Sequence, residues 1–199
     1  MRAASSSALF ATFFICGAST NGLIQTHFIP LCADFGLPAV GAASVLAMMG
    51  IFDFFGTTGS GWLSDRYDNR WLLAWYYGLR GLSLMALPFT DFSFYGLSIF
   101  AMFYGLDWIA TVPPTVKLTA ASFGRERANL VCGWVFAGHQ IGAASAAFLA
   151  GLSRTMLATY LPAFFVSGAL CVIAAVLALV IVRPGAAATA APNLAPAKA

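Results

Sequence analysis

The sequence predicts an all-α, polytopic membrane protein with six transmembrane helices. Two observations carry that reading: hydrophobic residues make up 60% of the chain against 9% charged, and the mean hydropathy is +0.84. A third is the run of residues without Asp, Glu, Lys or Arg at 3–33, 128–153 and 155–182. Ordinary globular domains carry about 25% charged residues. Ten Lys/Arg and seven Asp/Glu in 199 residues cannot cover a soluble surface. The apolar runs are continuous and lack period-two alternation, so they read as helices rather than barrel strands.

Each span follows from its punctuation, given that roughly 20 residues cross the hydrocarbon layer. The first is predicted at 8–29, closed by Pro30. Pro38 opens the second, 39–62, because a helix start has no use for the N–H that proline lacks. The polar run Asp65–Arg70 turns the chain into the third span, 71–89. Pro88 and Asp91 mark the turn to the fourth, 92–112, which Pro113-Pro114 breaks. Gly124 to Arg127 opens the fifth, 127–150, and the sixth is 157–182. Residues 1–7 read as a short N-terminus, 8–183 as the membrane domain, and the Ala/Pro-rich 184–199 as a disordered tail.

Orientation follows from the basic residues. With six spans, Arg2, Arg66, Arg70, Lys117, Arg125, Arg127, Arg183 and Lys198 fall on one side and Arg154 on the other. Both termini are therefore expected in the cytoplasm, with the chain in the cytoplasmic (inner) membrane.

Several functions are set aside. The basic residues form no phosphate-binding cluster, so nucleic acid is not an expected partner. Cys16, Cys32, Cys132 and Cys171 form no CxxC pair and read as small buried hydrophobes rather than a disulfide or metal site. HExxH, GxGxxG and GxxxxGK[ST] are absent, and no nucleophile context surrounds Ser153 or Ser167, so neither an enzyme nor a cofactor is expected. The first apolar run is too long for a signal-peptide core.

Three charges lie at membrane depth: Asp53, Arg80 and Asp107. Counted from the cytoplasmic span ends, they share one level to within about a helical turn. A charge facing lipid costs at least a few kcal/mol, so Arg80 is expected inside the bundle, flanked by Asp53 and Asp107. The cluster reads as a coupling site or as a static lock. Tyr104, Asp107 and Thr111 share one helix face, as do Met49, Asp53, Thr57 and Ser60, Tyr76, Arg80 and Ser83, and Asn21 and Gln25. Such polar stripes fit a lined cavity. His139 and Gln140 sit near the bilayer midplane, where a histidine can bind solute or carry a proton. His27 reads as interfacial. Gly138 and Gly142 form a GxxxG step for close helix approach, and Trp62, Trp71 and Trp75 suit the aromatic belt.

The stretch Gly61-Trp-Leu-Ser-Asp65-Arg66-Tyr-Asp-Asn-Arg70 closely resembles the Gly-x-x-x-Asp-Arg-x-x-x-Arg loop of the major facilitator superfamily. Tyr104 to Thr115, followed by Phe123-Gly-Arg-Glu-Arg127, resembles the fourth and fifth helices of the C-terminal half of bacterial members, monocarboxylate or oxalate/formate-like ones in particular. The resemblance covers about residues 8–183. It implies two inverted three-helix repeats and half of a twelve-helix fold. It also implies that Gly61 permits close helix contact, Asp65 meets a helix end, and Arg66 and Arg70 form gating ion pairs. Asp68 and Asn69 depart from the motif, where a glycine and a basic residue are usual.

The implied function is secondary active transport of a small organic solute, with Asn21, Gln25, Asp53, Arg80, Tyr104, Asp107 and His139 as transport or coupling residues and protons as co-substrate. The missing half points to an N-terminal six-helix unit or a second copy as partner. A drug or metabolite exporter half, and a non-transporting or nonfunctional half, are the alternatives.

Overall fold

The computed structural model describes residues 2–181 and is helical throughout, with no strand among the described residues. The expected tail, with Arg183 and Lys198, lies outside them. The first span is one rod of three segments: α1 (Arg2–Gly17), a π-helical stretch (Ala18–Gln25) and α2 (Thr26–Asp34). It is followed by α3 (Ala39–Ser64) and α4 (Asn69–Ala86), which ends in a 3-10 turn at Leu87–Phe89. The fourth span divides into α5 (Phe94–Asp107) and α6 (Val112–Phe123), and α7 (Arg125–Leu157) and α8 (Leu161–Val180) complete the bundle.

Three prolines act differently from expectation. Pro30 does not stop the first span: it lies inside α2, which runs on to Asp34. Winding changes from π to α one turn before it, where the ring of a helical proline meets the carbonyl four residues back. Nor do Pro113-Pro114 end the fourth span. They occupy the first turn of α6, where no intrahelical N–H is needed. The break falls just before them, at Trp108–Thr111.

Among the described residues, five stretches are long and apolar enough to cross a membrane: Ser6–Asp34, Ala39–Ser64, Phe94–Phe123, Glu126–Leu157 and Leu161–Val180. The sixth element, α4, is less apolar because it carries Arg70 and Arg80. Its 18 residues reach about 27 Å at the rise of an α-helix, and it turns Arg80 wholly inward. The outer surface is dominated by side chains such as Phe54, Tyr95, Phe148 and Val176, as expected of a lipid-facing bundle. Trp62, Trp71 and Trp75 are all exposed around the α3–α4 turn.

The helices pack most closely in three pairs: the first span with α7, α3 with α5, and α4 with α8. Exchanging the first three spans for the last three leaves that pairing unchanged, as two inverted three-helix repeats require. Small residues make each crossing possible. A Cβ on Gly17 would stand 1.9 Å from the carbonyl oxygen of His139, and one on Gly56 would stand 2.0 Å from that of Leu106. Ion pairs tie the two ends of the bundle. Arg154 of α7 grips Asp34 of α2 through Nε and NH2, each at 2.8 Å. At the opposite end Lys117 of α6 meets Asp65 at 2.5 Å.

Candidate functional site

The interruption of the fourth span is the chemical centre of the bundle. Breaking an α-helix at membrane depth strands backbone donors and acceptors, and every buried one needs a partner. Trp108 N–H donates to Gly105 O in a tighter turn, which leaves the next donor, Ile109 N–H, without its usual acceptor. Asp53 of α3 takes it on Oδ1 at 2.9 Å, while Thr57 donates to the same oxygen at 3.0 Å. Pro114 has no N–H for Ala110 O, and Ser60 Oγ of α3 supplies the missing donor at 2.5 Å. Val112 N–H turns to Ile109 O, stranding Trp108 O.

Arg80 of α4 closes the remaining gaps. Its NH2 group donates to Asp107 O at 2.6 Å and to Trp108 O at 2.9 Å. Its Nε donates to Asp107 Oδ2 at 2.7 Å, forming an ion pair in which Arg80 is fully buried and Asp107 nearly so. NH1 reaches Cys16 Sγ of α1 at 3.1 Å, and that sulfur also lies 3.4 Å from Thr111 Oγ1. A single guanidinium thus joins α4 to the first span and to the end of α5 at the break. Only arginine offers such a fork of donors. Asp107 Oδ1 is buried with no hydrogen-bond partner among the described residues, and so is the hydroxyl of Tyr77, whose ring lies 5.5 Å from the guanidinium carbon.

Arg80 and Asp107 therefore meet as the depth count expects, but among the described residues Asp53 forms no ion pair with Arg80. Its carboxylate accepts from the Ile109 N–H, a backbone donor that the break leaves without an intrahelical acceptor. Tyr104 does not line a cavity either. It is fully buried and donates to Ser19 O of the π-helical stretch at 2.9 Å. Asn21 is half-buried and Gln25 exposed. The π winding between them removes the four-residue register that α-helical spacing would give. His139 is half-buried with its ring 5.2 Å from that of Phe13, and it lies within electrostatic reach of Cys16. His27, near the outer end of the first span, is buried against α7, and its Nε2 bonds Ala147 O at 2.8 Å.

At the α3–α4 turn, the loop residues find partners within the bundle. Asp65 pairs with Lys117, and this ammonium holds its carboxyl below the usual carboxylate range. Arg66 lies 3.9 Å over the Trp62 ring. Arg70 pairs with Asp68 at 3.3 Å and also donates to Leu179 O and Ile181 O at 3.2 and 3.0 Å, capping the C-terminus of α8. A Cβ on Gly61 would meet nothing within 4 Å, so that glycine makes no close helix contact among the described residues.

Cys16, Ser60 and Lys117 are the site residues whose roles sequence reading missed. The depth count that aligned the three charges places Cys16 at a similar level, about 8 residues into a span that starts at residue 8. That count was the available signal. Ser60 and Lys117 serve a backbone carbonyl and a neighbouring helix, which spacing alone does not reveal.

The family model described as Major Facilitator Superfamily matches residues 3–198. The chain is similar to monocarboxylate transporter 12-B of Danio rerio, 26% identical over 168 residues that cover 80% of this chain and 34% of that protein. It is 30% identical over 146 residues to monocarboxylate transporter 13 of Rattus norvegicus, and 29% identical to that of Bos taurus, covering 72% of this chain and 34% of each relative. The chain spans about a third of the length of these curated relatives.

Proposed function

The chain belongs to the major facilitator superfamily, and on that premise we propose that it forms the C-terminal six-helix half of a bacterial secondary transporter for a small organic anion of the monocarboxylate type. The observation that carries the reading is the Arg80–Asp107 pair at the broken fourth span. Discontinuous helices are where transporters of this architecture hold substrate and coupling ion. The names of the relatives support an organic-acid solute.

The proposed cycle uses groups already in place. Asp107 takes a proton on its free Oδ1, which weakens its hold on Arg80 Nε. The guanidinium then offers a donor to the solute carboxylate, and loss of the proton after release restores the pair. The pair is sealed, so solute reaches it when the crossing of α1 with α7, or of α3 with α5, opens. Asn21, Gln25 and His139 stand on the first span and α7 to meet solute on the way. A second six-helix unit, an N-terminal half or another copy, supplies the opposing wall against which this one rocks. The Asp65–Lys117 and Arg70–α8 contacts lock the cytoplasmic end in one state. The bias of basic residues sets both termini in the cytoplasm of an inner-membrane protein.

The test is reconstitution in proteoliposomes, with and without a candidate N-terminal half, and uptake of labelled lactate, formate and oxalate under a pH gradient. Asp107→Asn is expected to abolish gradient-driven uptake while membrane insertion persists. Unchanged uptake with an unchanged pH dependence would overturn the coupling role. A second reading, a static lock, is favoured by the complete burial of Arg80. It predicts that Asp107→Asn lowers stability and uptake together, with the pH profile of the remaining uptake unmoved.

A further inference from the structure

A cavity lies away from the broken helix. Between the first span, α7 and α8 there is a space of about 300 Å³, at the small end of ligand cavities. It exists because α7 and α8, though consecutive, touch only sparsely. Its inner wall includes Ala18 and Leu23 of the π-helical stretch, and none of its lining residues is charged. Leu149 and Val166 line it and are each 59% exposed, so it opens sideways onto the apolar surface of the bundle.

Three serines line this otherwise apolar space. Ser145 spends its hydroxyl proton on Ile141 O at 2.8 Å, and Ser153 on Thr159 O at 3.1 Å. Ser167 differs. It is only 7% exposed, and its Oγ has no hydrogen-bond partner among the described residues. A buried hydroxyl without a partner costs free energy, and a ligand group that meets it recovers that cost. Ionised groups are excluded, because nothing in the wall would neutralise them. A phospholipid acyl chain could fill the volume but has no polar atom to give Ser167.

We propose that this cavity is a lateral binding site for a small uncharged amphiphile, a hydrocarbon body carrying one hydroxyl, which enters from the bilayer and seats that hydroxyl on Ser167. Ser167 stands one turn before Cys171, whose side chain packs against Gly81, the chain neighbour of Arg80.

The experiment is photolabelling of the full chain in nanodiscs with a diazirine-bearing octanol, read by intact mass and peptide mapping. Its readout is binding, so it stands or falls separately from the transport reading. Labelling is expected to saturate, to map to α7 and α8 around Ser145–Ser153 and Pro162–Leu170, and to be displaced by unlabelled octanol. Ser167→Ala is expected to weaken half-saturation about two- to tenfold, the worth of one neutral hydrogen bond, and Ser167→Thr to restore it. Ala146→Phe, which fills the space, is expected to remove the label while the protein stays monodisperse. Labelling that never saturates, or that is unchanged in Ser167→Ala, overturns the proposal. So does labelling of the same peptides by a photoreactive phosphatidylcholine that octanol fails to displace.

Discussion

Arg80 holds Asp107 twice, through its carboxylate at 2.7 Å and through its own backbone carbonyl at 2.6 Å. The two contacts do different work. The first balances a buried charge; the second, with the bond to Trp108 O, supplies a donor where the helix has none. Because both run through one rigid fork, the shape of the broken span and the charge of Asp107 are coupled. Protonating Asp107 loosens the first contact and leaves the arginine anchored by the second.

Arginine at this position should not be replaceable by lysine. An ammonium is a compact point donor on a flexible stem and cannot reach the carboxylate, two carbonyls and the Cys16 sulfur together. Arg80→Lys is expected to destabilise the bundle by about 3 kcal/mol, the lower end of the range for breaking a buried pair. Arg80→Met should be worse, since it leaves the buried carboxylate unpaired. Arg80→Met combined with Asp107→Leu should recover only part of the loss, because Asp107 O and Trp108 O still lack donors. Thermal unfolding of the three variants in one detergent checks the order; full recovery in the double variant would mean that the carbonyl contacts contribute nothing.

Ser60 offers a cleaner probe of the break. Its hydroxyl serves Ala110 O, which Pro114 leaves without an amide donor. Ser60→Ala is expected to cost about 1–3 kcal/mol, the penalty for a buried acceptor left unmet. Pro114→Ala restores the amide and should offset most of that cost when added to Ser60→Ala. Equal melting temperatures for the single and double variants would show that Ala110 O is satisfied in some other way.

The contrast between these residues shows what a sequence makes legible. Helical class follows from the uncharged runs alone, because a chain in lipid must satisfy its backbone within each helix. Residue counts from the span ends bring Arg80 and Asp107 together, since the cost of exposing either to lipid forces them inward. What spacing cannot convey is backbone chemistry. Asp53 looks like a third charge in the cluster, but its partner is an amide freed by a break whose position the prolines mark only to within a turn. Asn21 and Gln25 look like one face until the winding between them proves to be π. Cys16 has the depth of the cluster, yet nothing in its flanking letters distinguishes it from Cys32.

The Asp65–Lys117 contact carries a pH prediction. Lys117 holds the Asp65 carboxyl below its ordinary value, so the pair is fully formed above about pH 4, the unperturbed carboxylate range, and is lost only as pH falls through the depressed value. A proton gradient in the physiological range therefore leaves this contact intact, and any pH switch must lie elsewhere. Carbon-13 NMR of labelled aspartate should show an Asp65 midpoint below that of the Lys117→Met variant. A midpoint near neutrality would contradict the assignment. Both groups are exposed, so the difference should shrink with added salt.

The glycines separate contacts made inside this bundle from contacts made beyond it. At Gly17, Gly56 and Gly142 a Cβ would lie within about 2 Å of a backbone oxygen on the facing helix, and backbone cannot give way as a flexible side chain can. Alanine at any of these positions should pry two spans apart and lower the melting temperature by several degrees, with large losses of folded yield. At Gly59, Gly61 and Gly133 a Cβ would meet nothing within 4 Å. Alanine there should leave the melting temperature of this chain unchanged, and in these helices should favour it slightly. If a second six-helix half packs against α3 and α7 in the working transporter, Gly61→Ala and Gly133→Ala should nonetheless reduce uptake by the assembled pair. Stability measured on this chain and uptake measured on the assembly then diverge for those two residues and agree for Gly17, Gly56 and Gly142. Wild-type uptake in both Gly61→Ala and Gly133→Ala would place the partner surface on other helices.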